Sequence, residues 1–219
     1  MRSSREGQPL SYAVKEMFLT LQGEGVRAGR RAVFIRFAGC NLWSGREQDR
    51  AAAICQFCDT DFVGTDGDGG GKFADAIALT NAAADTWGQG LTNRYVVLTG
   101  GEPMLQIDDA LIDALHAHGF EIAMESNGTV RAHPGVDWVC ISPKAGSVIV
   151  QRSGDELKLV WPQPGSDVVE MENWAFDNLL VQPLDDLNAS ANAQAAVDFV
   201  LERPRWRLTL QGHKYLGLR

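Results

Sequence analysis

Cys40, Cys55 and Cys58 are the residues of this chain whose type and spacing point most directly to chemistry, and Phe57 stands just before the last of them. Three thiolates are one short of the four that close a structural zinc site or saturate a four-iron cluster. A zinc reading needs a fourth ligand, either Asp59 or a distant residue. A thioredoxin-like reading of Cys55-Gln56-Phe57-Cys58 leaves Cys40 without a role. A three-thiolate iron–sulfur cluster leaves one iron open to a substrate or cofactor. Spacing alone divides zinc and iron–sulfur evenly. The polar or glycine neighbours of Cys40 and Cys58 weigh against three thiols that merely pack. Cys140, in the apolar run 136–141, reads as a core cysteine.

The next chemical feature is Thr99-Gly100-Gly101-Glu102-Pro103. Paired glycines let backbone groups approach a ligand closely. Taken alone, the motif reads equally well as a strand–helix turn with Pro103 opening the helix.

These residues need a frame, and the apolar pattern supplies one. Strands are predicted over 33–37, 95–98, 121–124, 138–141, 157–160, 179–181 and 207–210. Helices are predicted over 73–87, 108–118 (with Gly119 as its C-terminal cap) and 192–203. Ser44 and Glu47 fit a capping box for a short helix over 45–54. Residues 65–71, rich in glycine and aspartate, read as a loop. Strands alternating with helices imply an α/β fold with a mainly parallel sheet. The polar motifs follow strands: Gly39-Cys40, Thr99-Gly100-Gly101, Glu125-Ser126-Asn127-Gly128, Ser142-Pro143-Lys144 and Gln182-Pro183. Ligands bind at the carboxyl ends of such strands, so all five should line one mouth.

A length of 219 residues suits one domain, with 45% hydrophobic and 22% charged residues. Residues 1–11 are expected to form a flexible leader and 12–219 the core domain. The net charge of −8 argues against nucleic acid or an anionic membrane as the main partner. No apolar run approaches the roughly 20 residues of a bilayer span. Four cysteines make no disulfide framework, and a cytoplasmic setting is the simplest expectation.

With these motifs together, the chain resembles the radical S-adenosylmethionine (SAM) enzymes. Their usual CxxxCx(aromatic)C pattern is kept in its second half, together with Gly-Gly-Glu-Pro, but fourteen residues separate Cys40 from Cys55 instead of three. That spacer occurs in some 7-carboxy-7-deazaguanine synthases. The chain is similar to that family also in Thr20-Leu21-Gln22-Gly23-Glu24-Gly25, Phe34-Ile35-Arg36-Phe37-Ala38-Gly39-Cys40, Cys58-Asp59-Thr60-Asp61 and His213-Lys214-Tyr215-Leu216.

The resemblance implies a partial (β/α) barrel and a carbon–nitrogen lyase. This enzyme would convert 6-carboxy-5,6,7,8-tetrahydropterin to 7-carboxy-7-deazaguanine, a queuosine precursor, with loss of ammonia. Cys40, Cys55 and Cys58 would hold a [4Fe–4S] cluster, and Thr60 a Mg²⁺ ion. Phe57, Cys58, Asp59, Gly101, Ser142, Pro143, Lys144, Gln182, Pro183, Leu184 and Asp185 would meet SAM. Leu21, Gln22, Gly23, Glu24, Arg36, Thr99, His213 and the chain end at Arg219 would meet the pterin, with Arg36 on its carboxylate. No side chain is expected to act as the catalyst, since the cofactor generates the radical. A homodimer and a flavodoxin-type electron donor are expected from the family. Each role has a structural rival: Arg36 sealing a strand end, Thr60 as a cap, His213 as a core histidine, Glu102 capping its own turn. Two other readings of the whole chain are an activating enzyme acting on another protein and a zinc-stabilised binding module.

Overall fold

The first strand, β1 (Tyr12–Leu21), buries Tyr12, Val14 and Met17 and pairs antiparallel with β2 (Arg31–Phe37). In this computed structural model, which describes residues 11–219, the expected leader lies outside the described residues except for Ser11. A bulge between Val14 and Glu16 interrupts the pairing. There Lys15 turns its amine onto Asp61 and Asp66 (2.9 and 2.8 Å) and fastens the segment that follows Cys58. Along β2, Val33, Ile35 and Phe37 are fully buried. Phe34 and Arg36, on the alternate face, line a cavity.

A short strand β3 (Gly71–Phe73) flanks β1, and beyond β2 every pairing is parallel. The remaining strands are β4 (Tyr95–Gly100), β5 (Glu121–Ser126), β6 (Trp138–Ile141), β7 (Ser153–Trp161), β8 (Ala175–Pro183) and β9 (Trp206–Leu208). Their order is β3-β1-β2-β4-β5-β6-β7-β8-β9, a single sheet left open between β3 and β9. It is the unclosed, mainly parallel sheet of a partial barrel.

Among the described residues there are five α-helices: α1 (Ala76–Trp87), α2 (Asp109–Ala117), α3 (Val168–Met171), α4 (Ala189–Glu202) and α5 (Gly212–Leu216). Leu79, Ala83 and Trp87 of α1 and Leu111 and Leu115 of α2 enter the core. Asp75 caps α1 by accepting from the Ala78 N–H (2.8 Å), and Asp108 caps α2 through the Leu111 N–H (3.0 Å). Phe199 of α4 packs between Trp161 and Trp206, at centroid distances of 4.8 and 5.3 Å. No helix among the described residues is long and apolar enough to cross a membrane.

The structure corrects the sequence reading at several elements. The capping box does not form: the Ser44 hydroxyl donates to Asp49 instead (2.6 Å), and 45–54 holds only a 3-10 turn, Glu47–Ala52, without a side-chain cap. The helix predicted from residue 73 starts at Ala76, because Asp75 takes the cap and Phe73 joins β3. Gly71 belongs to that strand rather than to the loop. The sequence reading assigned no element to β1, α3 or α5.

Candidate active site

Cys40 lies just beyond the end of β2, after Ala38 and Gly39, and its sulfur accepts from the Leu42 N–H (3.4 Å). The spacer returns the chain to Cys55 and Cys58 through an Ile54 N–H bond to the Leu42 carbonyl (3.2 Å). All four cysteines are free, and Cys40, Cys55 and Cys58 line one cavity. The neighbouring Cys55 thiol brings the Cys58 pKa down to about 6, helped by the Thr60 N–H. Cys55 is raised by the same pairing and by burial. Burial also raises Cys40. Cys140 is buried in β6 and does not line that cavity, but it borders a small void behind it that Gln22, Glu24, Glu125 and Lys158 also line.

The end of β4 meets this loop backbone to backbone. Gly100 has φ +131°, and a Cβ there would lie 2.3 Å from the Phe37 carbonyl oxygen. At Gly101 a Cβ would lie 2.0 Å from the Gly39 oxygen and 2.9 Å from the Cys40 Cβ. Only glycine allows the approach. Glu102 is fully buried; it caps its own turn through the Met104 N–H (3.0 Å) and also accepts from the Ser126 hydroxyl (2.9 and 3.0 Å) and the Asn127 N–H (2.9 Å). It thereby ties the end of β4 to the end of β5. Burial raises its pKa against those donors.

The cavity encloses about 470 Å³, within the range of small-molecule sites. All five strand-end motifs reach it. Beside the thiols it gathers Phe57, Asp59, Thr60, Gly101, Ser142, Lys144, Gln182, Pro183, Leu184 and Asp185. It also gathers Leu21, Gln22, Gly23, Glu24, Arg36, Thr99, His213 and Arg219. Pro143 does not line it; its carbonyl accepts from Gln163 (3.2 Å). Lys144 donates to the Ser142 carbonyl and hydroxyl, both at 2.7 Å, and burial lowers its pKa. The buried Gln182 Oε1 has no hydrogen-bond partner among the described residues, which suits a ligand that donates to it.

Another wall is charged. Lys158 of β7, its side chain 6% exposed, bridges Glu24 and Glu125, the latter at 3.5 Å. Gln211 donates to Glu24 (3.0 Å) and Gln22 to Glu125 (3.0 Å). Burial opposes the Lys158 charge, but Glu125 and Glu24 outweigh it and hold its pKa well above 10.5. Arg36 pairs with Glu16 through Nε (2.7 Å), and its terminal nitrogens make no hydrogen bond among the described residues. The sequence reading missed Lys158, Gln211 and Lys214 and gave Glu125 no role. The alternation Glu156-Leu157-Lys158-Leu159 carried the signal for Lys158: charged residues at every second position of a covered strand need a polar cavity.

Among the described residues, no three His, Cys, Asp or Glu side chains converge to hold a single ion. Three free thiols on one cavity wall, one already inclined to the thiolate, suit a cluster with an open iron.

A thiol loop pressed against a Gly-Gly-Glu-Pro strand end, at the carboxyl mouth of an unclosed barrel, is the arrangement that the resemblance to radical SAM enzymes implies, and the relatives of the chain bear out that class of lyase. No protein-family model matches the chain. It is 59% identical to the 7-carboxy-7-deazaguanine synthase of Bradyrhizobium diazoefficiens, covering 96% of this chain and 100% of that one. It is 60% identical to that of Nitratidesulfovibrio vulgaris (95% and 100%) and 31% to that of Escherichia coli K12 (95% and 100%). The crystal structure of QueE from Escherichia coli shares the fold, with TM-score 0.64 at 24% identity over 93% of this chain and 95% of that one. The chain belongs to the 7-carboxy-7-deazaguanine synthase family.

Proposed function

We propose that the chain converts 6-carboxy-5,6,7,8-tetrahydropterin to 7-carboxy-7-deazaguanine, releasing ammonia. The observation that carries this is that one cavity holds both the three thiols and a recognition wall of Arg36, Glu24 and Glu125. Cys40, Cys55 and Cys58 would hold a [4Fe–4S] cluster. Gly101, Ser142, Lys144, Gln182 and the 183–185 segment would hold SAM, and the Thr60 hydroxyl suits Mg²⁺, a hard ion that takes oxygen ligands. When bound, cluster and SAM would supply the radical chemistry for hydrogen removal at the pterin C6.

The chain's own groups do the placing. Arg36, with Nε fixed by Glu16, offers its terminal nitrogens to the substrate carboxylate. Glu24, ionised through Lys158, accepts from the amino edge of the pterin. Gln182 Oε1, without a partner among the described residues, would accept from bound SAM, and Phe57 would pack beside it in the same cavity. Four free thiols fit a reducing cytoplasm, and a homodimer served by a flavodoxin-type donor completes the reading.

The test is anaerobic reconstitution with iron and sulfide, then dithionite, SAM, Mg²⁺ and the pterin, followed by mass spectrometry. The product should form and vanish on omitting SAM or reductant, and it should fall on omitting Mg²⁺. A protein that cleaves SAM and leaves the pterin untouched would refute the substrate.

A further inference from the structure

The fourteen-residue spacer poses a physical problem. Three residues would keep two thiols together by chain length alone; fourteen leave a larger entropic cost of closure to be met by contacts. Within 41–54 only Leu42 and Trp43 are buried, so apolar packing does little to meet it.

Beside the Ile54 N–H bond to the Leu42 carbonyl and a Gln56 amide bond to the Ala51 carbonyl (3.2 Å each), Arg50 is placed to contribute most. Its Nε donates to both Glu47 carboxylate oxygens (2.9 and 2.8 Å). One terminal nitrogen donates to the carbonyls of Gln56 (2.8 Å) and Cys58 (3.0 Å). No other hydrogen bond reaches those two carbonyls among the described residues. The guanidinium lies 4.1 Å above the Trp43 ring, and that ring meets Phe62 edge-on at 5.6 Å. One side chain thus joins the arm that follows Cys40 to the Cys55–Cys58 turn.

We propose that Arg50 is a positioning residue that fixes the Cys55–Cys58 turn against the Cys40 arm, in place of a short spacer. Arginine is required because its planar fork serves a carboxylate and two carbonyls while its face stacks on tryptophan; a lysine amine cannot do all three. The cluster part of this inference rests on the function proposed above.

The test compares the full-length parent with Arg50→Gln, Arg50→Lys and Glu47→Gln. In the reduced apoprotein, iodoacetamide labelling of Cys55 and Cys58 is followed, with Cys140 as the internal reference, beside the melting temperature. After anaerobic reconstitution and desalting, iron per chain and the reduced-cluster EPR signal with and without SAM are measured. Arg50→Gln should melt near the parent, label several-fold faster at Cys55 and Cys58, lose most of its iron and alter the EPR signal. Arg50→Lys should fall between the two, and Glu47→Gln close to the parent. Parent-like labelling and iron in Arg50→Gln would overturn the proposal. So would full rescue by lysine, or changes that merely track a fallen melting temperature. If the parent itself retains no iron, the functional reading fails, and the apoprotein labelling still decides the role of Arg50.

Discussion

Lys158 keeps its charge in a buried place because two carboxylates face it, and that dependence runs both ways. Glu24 is pushed up by burial, and its net lowering comes from the Lys158 charge and hydrogen bond. A carboxylate below its ordinary value near 4.5 stabilises the fold above that pH and loses the contribution as pH falls through the lowered value. A lysine held above 10.5 stabilises below that pH and loses the contribution only as pH rises through the raised value. The pair is therefore whole across the neutral range. Lys158→Met should cost about 3 kcal/mol at neutral pH, since it leaves two partly buried carboxylates without their cation. It should also change the acid response. Burial, the largest influence on Glu24, would then be opposed only by Gln211 and His213, so relative to the parent the variant should gain stability as pH falls toward 5. Urea midpoints at pH 8 and pH 5 check this, and a parallel response in both proteins would contradict it. Arg36 was legible in the sequence, although its bond to Glu16 was not, because that pair depends on the β1–β2 register. If the terminal nitrogens take the substrate carboxylate, Arg36→Lys should raise the pterin KM roughly tenfold or more, the loss of about one charge-assisted hydrogen bond. The KM for SAM should hardly move. Equal rises in both would make Arg36 a structural arginine.

At the scale of elements, the contact between the end of β4 and the cysteine loop depends on the absence of a side chain. Gly101→Ala would put a Cβ 2.0 Å from the Gly39 oxygen, a backbone atom that cannot swing aside. The variant should lose about 1–3 kcal/mol of stability, as overpacked sites do, and its iron should fall with SAM binding. Asp75→Ala is the comparator. It removes the cap of α1, far along the chain from the thiols, and should cost about 1 kcal/mol with SAM binding intact. Calorimetric SAM titration of both variants separates the two effects; intact SAM binding in Gly101→Ala would show that the strand end tolerates displacement. Which elements could be read in advance follows from the same local physics. Runs such as Val96-Val97-Leu98 are covered on both faces and announce a strand by composition. The signal of β1 is broken, because the bulge puts Lys15 and Glu16 where alternation would place one residue. The capping-box signal at Ser44 was genuine chemistry spent on another partner, Asp49. Neither could be resolved without the tertiary neighbours.

The whole molecule is an open sheet whose gap has to be bridged if the cavity is to have a wall there, and the segment 211–219 does the bridging. The Gly212 N–H donates to the Gly23 carbonyl (2.8 Å), and the Thr20 hydroxyl donates to the main-chain oxygen of Arg219 (3.0 Å). Lys214 reaches Asp59 (3.2 Å) in the cysteine loop and Asp185 beyond β8. The Arg219 guanidinium meets Asp68 (2.7 Å). His213 is pressed so close to Gly23 that a Cβ there would stand 2.3 Å from its Nδ1. Yet α5 buries none of its residues, which is why no apolar period marked it in the sequence. A segment without buried side chains contributes little to the core and much to the shape of the site. Deleting residues 212–219 should therefore lower the melting temperature by only a few degrees, since the lost bonds are mostly exposed and worth about 1 kcal/mol or less each. Iron content should stay near the parent's, because none of the three thiols is touched. Pterin turnover should collapse while SAM cleavage continues without product, since the wall that holds Gln22, Gly23 and Glu24 in place is gone. The ratio of 5′-deoxyadenosine to 7-carboxy-7-deazaguanine, read in one chromatographic run, measures that uncoupling. A ratio unchanged from the parent would mean that the cavity is complete without its bridge, and a melting temperature lowered as far as that of a core variant would mean that the segment belongs to the fold rather than to the site.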